Sequence, residues 1–235
     1  MIPGEGEIHA WFARLDLRPD RLERLRASLS PDELARAGRF HFERDRDRFT
    51  AARGMLRELL GEYLETSPQC LSFLYGEHGK PALAPPWDGS GMRFNLSHSH
   101  GYGLYAFTTG REIGCDIEQL REDVLRDRIA ERFFSSAEQA ALNALPPHLR
   151  TEGFFNCWTR KEAWIKARSQ GLSLPLDSFD VTLAPGEEAR LVATRPDPEE
   201  AARWSVVDLR APQGFAAAVA IAGPAGPVVL QTRNA

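Results

Sequence analysis

Residues Met92–Glu118 read MRFNLSHSHGYGLYAFTTGREIGCDIE. Met92–Ser97 and Tyr102–Thr108 are strand-like runs on either side of a tight turn at His98–Gly101. Thr109-Gly110-Arg111 is a boundary signal, and Ile113–Ile117 is the next strand. Towards the N-terminus, Leu71–Tyr75 reads as a strand before a Gly/Pro-rich loop, Gly76–Gly91. A helix is expected over Asp45–Tyr63, where Phe49, Ala52, Leu56, Leu59, Leu60 and Tyr63 recur at helical spacing. Ser30-Pro31-Asp32-Glu33 is a helix start and Ile8–Leu15 a first strand. Towards the C-terminus, helices are expected over Val124–Phe133, Ser136–Leu145 and His148–Arg168. Strands are expected over Phe179–Leu183, Leu191–Thr194, Trp204–Leu209 and Phe215–Ala222, with a surface extension after Gly223. Both halves mix helices with antiparallel-type strands. The expectation is α+β, with one lobe over 1–110 and a second over 111–235.

The 235 residues are 43% hydrophobic and 26% charged with a net charge of −4, an ordinary globular composition. That balance offers no global basic field for nucleic acid or an acidic membrane. No apolar run is long enough to span a bilayer, and the acidic start lacks the basic-then-apolar pattern of a signal peptide. The three cysteines include no C-x-x-C pair, which argues against a disulfide framework or zinc site and for a reducing compartment. A cytoplasmic location is expected.

Several strings can carry chemistry. In Ile113–Glu118, strand alternation puts Gly114, Asp116 and Glu118 on one face and Ile113, Cys115 and Ile117 on the other. Two carboxylates at i and i+2 start about 6–7 Å apart and can both reach a hard cation, with Gly114 leaving room for a ligand. The alternative is a solvated acidic face on a half-buried strand. In Trp158–Leu172, Trp158, Glu162 and Ile165 share a helical stripe, and Glu162 and Lys166 are i,i+4 partners. That pair is either an exposed ion pair or a third metal carboxylate beside a phosphate-binding lysine. Ser97-His98 is no nucleophile–base dyad, since neighbouring strand residues face opposite ways and no G-x-S-x-G elbow is present. His98 and His100 lack a third zinc ligand. Two readings of His98 remain, a core histidine and part of a phosphate-binding rim. The arginines between Arg36 and Arg57 are interleaved with acids, which suits a salt-bridged surface helix better than a nucleic-acid stripe. Gly79-Lys80-Pro81 sets one cation in a rigid loop and is not a P-loop.

In this order, SPDELARAGRF, GKP, FNLSHS, IGCDIE, RFFS and WTRKEAWIKARSQGLSLPLDSF resemble the 4′-phosphopantetheinyl transferases of the surfactin-synthetase-activating type, across about residues 30 to 180. The resemblance implies two similar lobes of antiparallel sheet plus helices related by a pseudo-twofold, with coenzyme A between them in a monomer. It implies Mg²⁺-dependent transfer of the phosphopantetheine arm of coenzyme A to a serine of an apo acyl or peptidyl carrier protein, releasing 3′,5′-ADP. Such a reaction serves fatty acid biosynthesis or secondary metabolism. By the same resemblance Asp116, Glu118 and Glu162 hold the metal. Arg48, Lys80, Ser97 and His98 contact coenzyme A, Arg48 and His98 near the 3′-phosphate, and Lys166 reaches the pyrophosphate. Glu162 is the expected base, directly or through a water on the metal. Glu33 stands where relatives often carry a phosphate-binding lysine and is expected to repel a phosphate. A coenzyme A- or carrier-binding module without turnover and a serine hydrolase are the rival readings.

Overall fold

The structure, a computed structural model, describes residues 2–125, 128–169, 174–195 and 197–233. Its strands are β1 (Ile8–Arg14), β2 (Phe73–Tyr75), β3 (Pro81–Leu83), β4 (Met92–Ser99), β5 (Tyr102–Thr109), β6 (Ile113–Gln119), β7 (Phe179–Val181), β8 (Leu191–Thr194), β9 (Trp204–Asp208), β10 (Phe215–Ala222) and β11 (Val228–Arg233). Its α-helices are α1 (Pro19–Arg26), α2 (Pro31–Ala37), α3 (Glu43–Leu64), α4 (Ile129–Phe133), α5 (Ser136–Ala144) and α6 (Arg150–Arg168).

Alternation within the strands sorts the side chains into three cores. One main sheet has the order β11-β1-β5-β4 and the other β6-β10-β9. Ile8, Ala10 and Phe12 of β1 and Leu104 and Ala106 of β5 pack against Ile113, Cys115 and Ile117 of β6 and Val219 and Ile221 of β10. This apolar layer joins the sheets face to face. On the outer face of the first sheet, the expected α3 stripe of Phe49, Ala52, Leu56, Leu59, Leu60 and Tyr63 is buried, most of it packed against Tyr105, Phe107 and Phe94. Full burial of one such leucine contributes about 1.5–3 kcal/mol. On the outer face of the second sheet, Phe154, Trp164 and Ile165 of α6 pack with Ala216, Ala218 and Ala220 of β10. Each lobe is therefore a sheet with a long helix outside it, and the molecule stacks helix, sheet, sheet, helix. The α+β expectation holds.

Four elements differ from the sequence reading. The tail is no surface extension: β11 pairs in parallel with β1, Ile8 to Val228 through Ala13 to Arg233. Residues 228–233 therefore belong to the sheet of β1, β5 and β4. The Gly76–Gly91 loop contains β3, which pairs with β2. Helix α1 is an element that the sequence pattern does not mark, because Pro19–Arg26 carries only Leu22 and Leu25 as apolar residues. The expected helix over Val124–Phe133 is α4 preceded by a 3₁₀ turn, Glu122–Leu125, and 126–127 lie outside the described residues. Residues 170–172 of the Trp158–Leu172 string also lie outside them.

The acidic and basic residues of α2 and α3 are not all a solvated face. Glu33, Arg53 and Arg57 are buried. Arg53 Nε donates to Glu33 Oε1 at 2.9 Å and Arg57 Nε to Glu33 Oε2 at 2.6 Å. Arg53 also reaches the Tyr75 hydroxyl, and Arg57 the carbonyls of Pro68 and Leu71. The backbone N–H and the hydroxyl of Ser30 complete the carboxylate as a capping box at the start of α2. Glu33 is thus a buried counter-ion that locks α2 onto α3. The expectation that it repels a phosphate is corrected: both of its oxygens are spent inside the lobe.

Candidate functional site

A cavity of about 620 Å³ opens between the two lobes. Its walls include Arg36, Phe40 and Phe49, the charged Asp116, Glu118, Glu162 and Lys166, and the apolar Phe133, Trp158 and Leu176. That size is in the range of small-molecule sites. Strand alternation on β6 delivers Asp116 and Glu118, and the helical stripe on α6 delivers Trp158, Glu162, Ile165 and Lys166 to the same walls. The solvated-face readings of both strings are excluded by this placement.

Gly114 is what lets β6 and α6 meet here. A Cβ on Gly114 would lie 2.2 Å from Ala163 O and 2.2 Å from Ala167 N, both on α6. The room left by Gly114 is occupied by helix backbone, which corrects the expectation that it admits a ligand.

The electrostatics follow from crowding like charges in a concave wall. Lys166 Nζ donates to Asp116 Oδ1 at 2.6 Å and to Ser97 Oγ at 3.0 Å, and Ser97 Oγ donates to the same Asp116 oxygen at 2.7 Å. Burial alone would lower the Lys166 pKa, but the Asp116 carboxylate more than offsets it, so the ammonium is held above its usual value. Burial, with Asp116 beside it, pushes the Glu118 carboxyl up to about 7. Burial also raises Glu162, against the pull of Lys166. His98 stands open to the cavity, yet the surrounding protein and then Lys166 lower its pKa. The imidazole is a cavity-lining group and not a core histidine.

A hard divalent cation suits this donor set. All three acids present oxygen ligands, and Asp116 Oδ2 is buried with no hydrogen-bond partner. The carboxyl pKa values are raised mainly by burial, with Asp116 adding to it. Among the described residues no three acidic, histidine or cysteine side chains already form a closed metal cluster. The carboxylates line one cavity without converging on a point.

Three expected coenzyme A contacts are engaged elsewhere. Arg48 does not line the cavity; its Nε and Nη2 donate to Asp16 at 2.6 and 2.8 Å. Lys80 lines it, but its ammonium donates to Glu112 Oε2, Ile113 O and Ala167 O at 3.0–3.2 Å, which uses all three of its protons. The Ser97 hydroxyl is committed to Asp116 and Lys166. Arg36, by contrast, lines the cavity and is exposed. Sequence reading passed over Phe133, Trp158 and Leu176 as cavity wall because apolar residues carry no chemical signature, although RFFS and the α6 stripe held two of them.

Comparison with known proteins adds the following. A family model described as 4′-phosphopantetheinyl transferase superfamily matches residues 112–220, and one described as 4′-phosphopantetheinyl transferase, N-terminal, matches residues 18–109. The chain is 42% identical to the 4′-phosphopantetheinyl transferase HetI of Nostoc sp., over 92% of this chain and 88% of that protein. It is 32% identical to the 4′-phosphopantetheinyl transferase Sfp of Bacillus subtilis, over 75% of this chain and 76% of that protein. Among solved structures it is similar to the holo-[acyl-carrier-protein] synthase of Thermotoga maritima, at 19% identity and a TM-score of 0.39. That match spans 48% of this chain and 62% of the other.

Proposed function

The chain belongs to the 4′-phosphopantetheinyl transferase family, and from that premise we propose that it moves the phosphopantetheine arm of coenzyme A to a serine of an apo acyl or peptidyl carrier protein, with Mg²⁺ bound and 3′,5′-ADP released. One observation supports the metal and proton chemistry: three carboxylates and one lysine, from β6 and α6, line a single cavity, and one buried carboxylate oxygen has no hydrogen-bond partner among the described residues.

Asp116, Glu118 and Glu162 would hold the cation. When bound, Mg²⁺ supplies charge neutralisation at the pyrophosphate. Lys166, oriented by Asp116 and Ser97, offers its ammonium to the same phosphates. Arg36 and His98 meet the 3′-phosphate, a role in which Arg36 takes the place expected of Arg48. Lys80 acts from the wall, tying the Gly79–Pro81 loop to the ends of β6 and α6. Glu162 accepts the proton of the carrier's serine hydroxyl, and its raised pKa moves it towards the working pH of a general base. As that oxygen bonds to the β-phosphorus, the bond from that phosphorus to the bridging oxygen breaks and 3′,5′-ADP departs with the electron pair. The apolar Phe133, Trp158 and Leu176 would meet the arm or the carrier. Both lobes come from one chain, so a monomer has a complete site.

The test is the intact mass of a purified apo-carrier incubated with the protein, coenzyme A and Mg²⁺, beside an EDTA control. A metal-dependent gain of one phosphopantetheine arm is expected. No gain on either an acyl or a peptidyl carrier, with coenzyme A still bound, would overturn transfer in favour of binding alone.

A further inference from the structure

Strands β4 and β6 lie at the edges of different sheets. What joins them is a row of side chains at alternate positions of β4, where one strand face carries Asn95, Ser97 and Ser99. Asn95 Oδ1 accepts from the Cys115 N–H at 2.9 Å. Ser97 Oγ donates to Asp116 Oδ1 at 2.7 Å. Ser99 Oγ donates to Glu118 Oε2 at 2.7 Å and accepts from the Gln119 N–H at 3.3 Å. One lobe therefore dictates the register and side-chain orientation of the acidic strand in the other.

The hydroxyl of Ser99 has one proton to give. The Gln119 N–H is a donor to Ser99 Oγ, and the His100 ring nitrogen Nδ1, 3.0 Å away, can present a proton as well. The carboxylate at 2.7 Å is the nearer and stronger acceptor, so the proton goes to Glu118. Ser99 is buried, and this geometry is not diluted by water. The outcome matches that at Asp116. One oxygen of each carboxylate is tied to a serine, while Asp116 Oδ2 and Glu118 Oε1 have no hydrogen-bond partner among the described residues.

We infer that Ser99 is a positioning residue for Glu118, fixing which carboxylate oxygen is left to ligate a divalent cation. The inference rests on the metal reading given under Proposed function. Hydrogen bonds to ligating carboxylates of this kind typically change metal affinity by about 10–100-fold when removed.

The experiment measures Mn²⁺ binding to the purified protein by electron paramagnetic resonance, without coenzyme A or carrier. It compares wild type, Ser99→Ala and Ser99→Thr, with Ser99→Cys as a second variant should the alanine form fail to fold. Ser99→Ala is expected to weaken Mn²⁺ binding by about 10–100-fold and Ser99→Thr, which keeps the hydroxyl, to restore it. In the transfer assay, the Mg²⁺ concentration for half-maximal rate should rise by the same factor in Ser99→Ala, well beyond any change in the KM for coenzyme A. Unchanged Mn²⁺ affinity in folded Ser99→Ala or Ser99→Cys would overturn the role of Ser99 and leave the metal reading standing. Equal losses in the alanine and threonine variants would overturn it too, as a packing effect. A wild-type protein that binds no Mn²⁺ would overturn the metal reading itself, and the assignment of Ser99 with it.

Discussion

Substituting Gly114 by alanine tests whether the approach of β6 to α6 sets the geometry of the site. The added Cβ would sit 2.2 Å from Ala163 O, 2.2 Å from Ala167 N and 2.8 Å from the carbonyl carbon of Lys166. All three are backbone atoms of α6, so no flexible side chain can swing away. Restoring van der Waals distance requires the helix and strand to separate by about 1 Å. Overpacking of this kind costs roughly 1–3 kcal/mol of stability. The larger effect falls on activity, because the displaced helical turn runs from Glu162 to Lys166, while Asp116 stays on the strand. A misplacement of about 1 Å at reacting groups costs on the order of 10²-fold in rate. Urea unfolding and kcat/KM for carrier modification would be measured on Gly114→Ala beside Gly89→Ala, where an added Cβ meets nothing within 4 Å. The control should match wild type in both assays. A Gly114→Ala protein with wild-type stability, and kcat/KM within about threefold, would refute the reasoning.

Three other outcomes are expected. Glu33→Gln leaves two buried arginines facing a neutral amide and should cost about 3 kcal/mol in chemical denaturation, with the KM for coenzyme A unchanged because Glu33 does not line the cavity; a loss below about 1 kcal/mol would contradict the buried counter-ion role. In metal-free protein, Glu118 titrates near pH 7 when folded and near 4.5 when unfolded. The folded state then holds the extra proton between those values, so this carboxyl lowers stability as pH rises from 4.5 through 7. Glu118→Gln should therefore be more stable than wild type at pH 8 by about 1–2 kcal/mol and no different at pH 4, as read by thermal unfolding in EDTA. Glu162→Gln should lower kcat by about 10²–10⁴-fold with an unchanged circular dichroism spectrum, and an active variant would remove Glu162 as the proton acceptor.

Much of this was legible because two periodicities, two and 3.6, place side chains on faces. Alternation sent Ile113, Cys115 and Ile117 to the layer between the sheets and left Asp116 and Glu118 on the cavity side. Helical spacing put Glu162 and Lys166 on one wall. What stayed hidden is how charges pair across distances that a linear pattern does not encode. Glu33 meets arginines 20 and 24 positions away, and Lys80 meets carbonyls 33 and 87 positions away. A one-dimensional reading counts such residues as available to a ligand, whereas the fold has already spent them. Strand β11 was missed for a similar reason: a Pro/Gly-punctuated tail has no pattern that reveals a partner 220 residues upstream, as Ile8 is for Val228.

The arrangement also explains why two lobes are needed to build one site. Carboxylates placed on a single strand face would repel one another and turn outward into water. Here β6, which carries two of the acids, is held by Asn95, Ser97 and Ser99 of β4 in the other sheet, and the third carboxylate arrives on a helix whose own Lys166 compensates Asp116. Burial, and in smaller part the neighbouring Asp116, raises the Glu118 and Glu162 carboxyls. If the proposed divalent cation binds among these carboxyls, its binding should release protons from them and strengthen as pH rises.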